Sequence, residues 1–152
     1  MMNAPLFRNC AIRRLTEEDI PRGLDLARQA YPGRGVEGAV DWVRWHMKQA
    51  NSLVLIGPGT LGIASIVWRY GFEKRARLDM LAALPGKAGV IEALQQVRIM
   101  VKWATLQGAQ GSFRIDADTG VDFGAFAKRL GGREVDPVKY PRYDIPLDGG
   151  LV

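Results

Sequence analysis

Residues 85–94, which read PGKAGVIEAL, combine a glycine-spaced turn with the start of a long helical pattern. Backbone N–H groups at such a junction can hold a phosphate, because they point out of the first helical turn at the positive end of the helix dipole. Gly86 and Gly89 are separated by Lys87 and Ala88. This spacing is neither the dinucleotide fingerprint G-x-G-x-x-G nor the P-loop G-x-x-x-x-G-K-[ST]. The stretch therefore indicates a nucleotide-like cofactor only if the rest of the chain supports one.

Composition limits the classes of function. The 152 residues suit one globular domain with a single core, and we expect residues 1–152 to form it. The net charge of +5 would suit an acidic partner, but the basic residues are scattered, which favours a solvated surface. One cysteine, Cys10, and one histidine, His46, exclude a structural zinc cluster, so we expect no metal site. No stretch has membrane-spanning length and no apolar signal core is present, so we expect a cytoplasmic protein without membrane contact.

Strand and helix patterns alternate along the chain. Residues 7–15 predict a first strand, and Thr16 with Asp19 forms a capping-box pattern that starts a helix. The turn at residues 57–59 indicates a hairpin, and alternation over residues 75–84 predicts a strand before the long helix. Further elements are a strand at 112–118, a short helix at 121–130 and an edge strand at 139–147. This order predicts an α/β (α+β) fold, in which a mixed sheet carries helices on both faces.

The second predicted helix has more aromatic surface than one buried face uses. Its inward stripe consists of Val36, Val40, Val43 and Met47. Trp42 and Trp45 then fall at the edges of that stripe or outside it. Either a neighbouring loop covers the two rings, or they anchor another protein chain or a second copy, with Arg44 and His46 as a polar rim.

The chain resembles the GNAT superfamily of acetyl-CoA-dependent N-acetyltransferases over nearly its whole length. The resemblance rests on IRRLTEEDIPRGLDLA near the start, TLGIASIV in the third strand, KWATLQGA closing the long helix and FAKRLGGREV near the end. It implies a sheet that is mainly antiparallel. The tryptophan of KWATLQGA and the DTG at residues 118–120 are most similar to members encoded by bacteriophages.

The resemblance implies a role for the opening stretch. In GNAT proteins it reads Arg or Gln, two residues, Gly, one residue, then Gly or Ala, and its N–H groups hold the cofactor pyrophosphate. Counting back from the end of the long helix by the family's usual helix length places this motif on residues 88–93. Ile91 then replaces the first glycine and Glu92 lies inside the loop, and both oppose a pyrophosphate. On this register we expect no bound cofactor.

The alternative register, residues 83–88, supplies Gly86 and Ala88 at the small positions and Lys87 as a charge partner. It lengthens the helix by more than a turn and still lacks the Arg or Gln. The candidate cofactor residues are therefore Gly86, Lys87, Ala88 and Gly89, and acetyl-CoA is the cofactor if the chain is active.

The resemblance also implies catalytic positions. Family members use an acid on the fourth strand as a base, acting through a water on the acceptor amine, and Asp79 matches that position. The family's tyrosine acid in the fourth helix falls on Ala127, which leaves Tyr140 and Tyr143 as substitute acids. Asp79 is equally explained as a charge on a half-exposed strand, and the tyrosines as packing residues.

These departures favour a GNAT-fold protein that acts as a non-catalytic binding or structural module, as a component of a phage particle. Its partner would be another protein or a second copy of the chain. The alternative is an active N-acetyltransferase that acetylates a small-molecule amine. Nucleic-acid binding ranks last, because the sequence shows no clear platform of aromatic and basic residues.

Overall fold

The computed structural model describes residues 11–116, 123–135, 143 and 146. The chain divides into two compact units, Met1–Val121 and Asp122–Val152. The first unit contains a five-stranded sheet. Its strands are β1 (Arg13–Arg14), β2 (Ser52–Ile56), β3 (Thr60–Arg69), β4 (Glu73–Ala83) and β5 (Phe113–Arg114). They lie in the order β1-β2-β3-β4-β5, and only β4 and β5 run parallel. The prediction of a mixed, mainly antiparallel sheet is confirmed.

Three helices accompany this sheet in the first unit, and one belongs to the second unit. They are α1 (Ile20–Ala30), α2 (Ala39–Met47), α3 (Lys87–Leu106) and, in the second unit, α4 (Gly124–Arg129). A short 3-10 turn, Glu17–Asp19, precedes α1 and contains the predicted capping box of Thr16 and Asp19. The Asp19 carboxylate accepts the Thr16 N–H at 2.8 Å, which satisfies a donor that the helix start leaves open. None of the helices among these residues is long and apolar enough to cross a membrane.

The core lies on both faces of the sheet. On one face, apolar side chains of β2, β3 and β4 pack with α1 and α2. This cluster includes Val54, Ile63, Ala82, Leu26, Ala27 and Val43. On the other face, α3 packs so closely that a Cβ built on Gly62 of β3 would lie 2.6 Å from the Met100 methyl carbon. The predicted placement of helices on both faces is therefore confirmed.

Helical spacing in the sequence predicts that Val97, Val101 and Ala104 pack on the sheet and that Trp103 lies at the flank of the helix, and the structure differs from this in part. Val97 and Ala104 are buried as expected, but Val101 is 40% exposed and Trp103, expected at the flank, is 1% exposed. Met100, at 0% exposure, occupies the inward position instead. Met100 and Val101 lie three and four positions after Val97, so either could continue the inward face of the helix. The close contact with Gly62 selects Met100.

Candidate functional site

β4 has an open edge. β5 pairs with β4 only at Ala76 and Arg77, although β4 continues to Ala83. The Leu84 N–H donates to the Gly59 carbonyl at 2.9 Å, so the polar backbone groups of Leu84 face β3. Along an antiparallel ladder every second residue faces its partner strand in this way, and the residues between them face outward. Leu81 therefore directs its own N–H and C=O away from β3. Within the described ranges no strand pairs with this side of β4 beyond Arg77, and we call residues 78–83 the open edge.

Tyr31 closes one position of the open edge. It follows the last residue of α1, and its hydroxyl donates a 2.6 Å hydrogen bond to the Leu81 carbonyl. In the sequence, Tyr31 only continues the helical spacing of apolar residues that begins at Ile20. Its position at the open edge depends on long-range packing of α1 against β4, for which the local sequence contains no signal.

Asp79 lies at a bulge in β4. The pairing shifts between Ile63 with Met80 and Ala64 with Leu78, so Asp79 has no partner residue on β3. Its side chain is only 8% exposed, and the Arg77 Nε donates to Oδ1 at 2.9 Å. The other oxygen, Oδ2, is buried and accepts no hydrogen bond from the described residues. Such an atom is costly to bury, so a donor from a ligand would be stabilising there.

A row of polar side chains crosses the sheet next to Asp79. Ser52, Ser65 and Arg77 are paired across β2, β3 and β4, and the Arg77 Nε lies 3.4 Å from the Ser65 Oγ. At the end of the row, the His46 Nδ1 lies 2.8 Å from the Ser52 Oγ. Burial lowers the pKa of His46 and Arg77 lowers it further, while the Asp79 charge acts in the opposite direction. The imidazole is therefore neutral at pH 7 and is electrostatically coupled to Asp79.

The tryptophans of α2 cover His46. Trp42 is 39% exposed and Trp45 is 54% exposed, and both rings make edge contacts with the imidazole, at centroid distances of 4.7 and 4.9 Å. His46 itself is only 4% exposed, so it lies beneath the two rings and does not form the expected polar rim. Arg44 is held by Glu17 through a 2.7 Å hydrogen bond.

The turn between β4 and α3 is short. α3 begins at Lys87, so residues 88–93 are helical, and the register that places a loop on them is wrong. Gly86 has a φ of 105°, a left-handed value that favours glycine, and no side chain caps the helix. Lys87 and Ala88 are exposed, whereas Gly89 is buried where a Cβ would collide with the Leu84 carbonyl oxygen. The first turn of α3 thus exposes uncapped N–H groups beside a lysine.

Glu92 is hydrogen-bonded to the turn between β2 and β3. Its carboxylate accepts the Gly59 N–H at 2.9 Å and the Thr60 hydroxyl at 2.5 Å. The same hydroxyl accepts a hydrogen bond from the Gln96 amide at 2.5 Å. Glu92 therefore stabilises the turn between β2 and β3, and Ile91 lies on the exposed side of the helix. The steric objection to a pyrophosphate assumed a loop at residues 88–93, so it does not apply to the turn at Gly86.

The remaining predicted site residues belong to the second unit. Tyr140 lies outside the described residues, and Tyr143 is 82% exposed. Ala127, at the family's tyrosine position, lies within α4. Across the described ranges, no group of three or more His, Cys, Asp or Glu residues is arranged to hold a metal ion.

The fold recurs in known acetyltransferases. An aminoglycoside 6'-N-acetyltransferase from Acinetobacter haemolyticus superposes with a TM-score of 0.70 at 20% identity, over 89% of this chain and 99% of that one. The aminoglycoside N-acetyltransferase AAC(6')-Iy in complex with CoA gives 0.67 at 17% identity, over 87% and 93%. A transcriptional regulator from Bacillus halodurans gives 0.69 at 16% identity, over 87% and 98%.

No protein-family model matches the sequence, and no curated protein matches it. The structural likeness at these identities establishes the GNAT fold.

Proposed function

We propose that this chain is an acetyl-CoA-dependent N-acetyltransferase acting on a small-molecule amine. The observation that carries the proposal is the buried Asp79 carboxylate, whose Oδ2 has no donor among the described residues and which lies at the open edge of β4. An acceptor amine would supply that donor. The structurally similar proteins align with this chain over almost their full length, which supports a single GNAT-like domain over residues 1–152.

The first turn of α3 is the proposed site for the cofactor pyrophosphate. Uncapped N–H groups at a helix start attract anions, and Lys87 adds a positive charge there. Among the described residues, no atom beyond Gly86 and its two chain neighbours lies within 4 Å of a Cβ built on Gly86, so a phosphate has room to approach the backbone. Along the open edge, the outward N–H of Leu81 and the outward N–H and C=O groups of Ala83 are suited to pair with the amides of the pantetheine arm.

Asp79 and Tyr31 are the proposed proton-transfer groups. Bound acetyl-CoA supplies the acetyl group as a thioester, and the amine nitrogen forms the new C–N bond as the C–S bond breaks. Asp79 receives the amine proton, directly or through a water, and its Oδ2 orients the amine. The Tyr31 hydroxyl, at the same edge, gives a proton to the departing thiolate, so that free CoA and an amide are the products. Tyr31 thus replaces the acid that the sequence sought in Tyr140 or Tyr143.

The test is release of free CoA thiol with a panel of amines, comparing the wild-type chain with Asp79→Asn. A general base contributes about 10²- to 10⁴-fold, so we expect kcat to fall by that factor while acetyl-CoA affinity is kept. Asp25→Asn is the matched control, because Asp25 is an exposed carboxylate of α1 paired with Arg28. A variant at position 79 that keeps the wild-type rate would remove Asp79 from the reaction.

A second candidate is the non-catalytic module, with a place in a phage particle as one form of it. The observation in its favour is that Arg77 already pairs with Asp79 and that only three residues separate β4 from α3. In that case the exposed Trp42 and Trp45 would bind a protein partner or a second copy of the chain. A chain that binds no acetyl-CoA but loses its assembly when both tryptophans are removed would favour this candidate.

A further inference from the structure

The hairpin that joins β3 to β4 carries three large aromatic side chains in solvent. Trp68, Tyr70 and Phe72 are 60%, 69% and 71% exposed, the highest values among the large hydrophobic residues that the structure describes in the first unit. The Tyr70 and Phe72 rings stack at a centroid distance of 6.2 Å and an angle of 30°. We call residues 68–75 the aromatic hairpin. Solvent exposure of three neighbouring rings is unfavourable unless a partner covers them.

The backbone at the tip of the aromatic hairpin also indicates that the Tyr70 ring has a partner. Tyr70 has a φ of 55° and Gly71 a φ of 79°, and the Phe72 N–H donates to the Arg69 carbonyl. Two left-handed central residues define a turn in which Asn-Gly is the favoured pair, because a bulky side chain is strained there. Tyrosine at this position is therefore unfavourable for the turn, and its ring calls for another explanation.

Cationic side chains are interleaved with the rings. The Arg69 guanidinium lies 5.0 Å from the Tyr70 ring centroid, and the Lys74 ammonium lies 5.4 Å from the Trp68 centroid. Lys74 is held in place by the Gln107 carbonyl at 3.2 Å. Arg75 adds a third positive charge, and Glu73, its ion-pair partner, is the only acid of the hairpin. The aromatic hairpin is thus a positively charged surface with exposed rings.

We propose that the aromatic hairpin binds single-stranded nucleic acid. Unpaired bases stack on aromatic side chains regardless of sequence, and the neighbouring cations neutralise the backbone phosphates. A duplex would not serve, because its bases already stack on one another. From the sequence alone, nucleic-acid binding ranks last because no platform of aromatic and basic residues is visible in it. The cross-strand pairing of Trp68 with Lys74 and of Arg69 with Glu73 creates one.

Other occupants fit the charges less well. A second copy of the hairpin would bring the same positive charges together, which is destabilising. Insertion of the tip into a bilayer would carry Arg69 toward the hydrocarbon with the Tyr70 ring, and a charge there is costly. An anionic polymer with flat apolar faces matches both the cations and the rings.

The test is fluorescence anisotropy of a labelled oligothymidylate of about twenty nucleotides, longer than most single-strand site sizes. We expect saturable binding whose logarithmic salt slope is about −1.4, from the hairpin's net charge of +2 (three cations and one acid) at about −0.7 per charge. Lys74→Gln should reduce that slope by about 0.7, whereas Arg98→Gln, an exposed cation of α3, should leave it unchanged.

The most diagnostic variant is Tyr70→Asn. It places the favoured residue at the turn, so the melting temperature should stay the same or rise. It also removes one stacking ring, so affinity for the oligonucleotide should fall about five- to a hundredfold. If the Tyr70 ring served only to stabilise the hairpin, the melting temperature of the variant would fall instead. Leu106→Ala, which removes an exposed apolar side chain at the end of α3, is the control and should bind as the wild type does.

Three outcomes would overturn the proposal. They are no oligonucleotide binding at about 50 mM salt, equal binding by the Tyr70 variant and the wild type, and tighter binding to duplex than to single strands. Vesicles of phosphatidylcholine and phosphatidylserine serve as the competing probe. Vesicle binding that depends on Tyr70 without oligonucleotide binding would assign the hairpin to a membrane surface instead.

Discussion

His46 and Asp79 show how burial changes the behaviour of single residues in this site. His46 is held beneath Trp42 and Trp45 with one ring nitrogen on Ser52, so its environment disfavours the charged imidazolium. Asp79 keeps one oxygen on Arg77 and leaves the other without a donor among the described residues. The vacant oxygen of Asp79 is the feature on which the proposed amine site rests.

The lowered pKa of His46 predicts a pH dependence of stability. Between its pKa in the folded state and about 6.5, the unfolded chain binds more protons than the folded one, so stability falls as the pH falls through that window. Above it this contribution is fully present. We expect the urea unfolding free energy of the wild type to drop between about pH 7 and pH 5 more steeply than that of His46→Gln. His46 is the only histidine, so equal slopes in the two proteins would contradict this assignment.

Among the secondary-structure elements, α3 depends on Gly89 for the position at which it begins. A Cβ on this residue would collide with the Leu84 carbonyl, which belongs to the turn that presents the helix start. We predict that Gly89→Ala lowers the free energy of unfolding by about 1–3 kcal/mol, as overpacking does. It should also weaken acetyl-CoA binding, because the turn must move.

Gly38→Ala is the matched control for this prediction. Gly38 precedes α2 with a φ of −67°, and nothing lies within 4 Å of a Cβ built there. This variant should be neutral or slightly more stable than the wild type in denaturant unfolding. Similar losses in both variants would show that the contact with Leu84 is not what constrains Gly89.

Local signals predicted some elements correctly and long-range pairing decided the others. The capping box at Thr16 and the turn at residues 57–59 follow from residue types a few positions apart, and both were predicted. The bulge at Asp79 and the open edge of β4 depend on pairing between distant strands, so no local pattern indicated them. The loop register failed because it assumed a helix length, whereas α3 extends back to Lys87.

At the scale of the whole first unit, the described residues form two exposed aromatic surfaces, on α2 and on the aromatic hairpin, with different surroundings. The tryptophans of α2 pack on a buried histidine, while the rings of the aromatic hairpin are interleaved with cations. We therefore expect the first surface to serve protein contacts and the second to serve an anionic ligand.

Self-association provides a test of the α2 surface. We predict that Trp42→Ala combined with Trp45→Ala keeps the circular dichroism spectrum but shifts the mass in light scattering from an oligomer to a monomer. The exposed rings are lost without removing a core residue, since Val43 forms the buried side of α2. Trp68→Ala should leave the mass unchanged. If the double variant and the wild type scatter identically, α2 does not mediate assembly.

The measurement that tests the proposed function most directly is a calorimetric titration of the chain with acetyl-CoA. We predict saturable binding in the micromolar range for the wild type, because the exposed first turn of α3 and Lys87 are suited to the pyrophosphate. Lys87→Glu reverses the charge on an exposed side chain and should weaken that binding at least tenfold, or about 1.4 kcal/mol, without loss of fold. Absence of binding heat up to about 1 mM acetyl-CoA would contradict the assignment of this chain as an acetyltransferase.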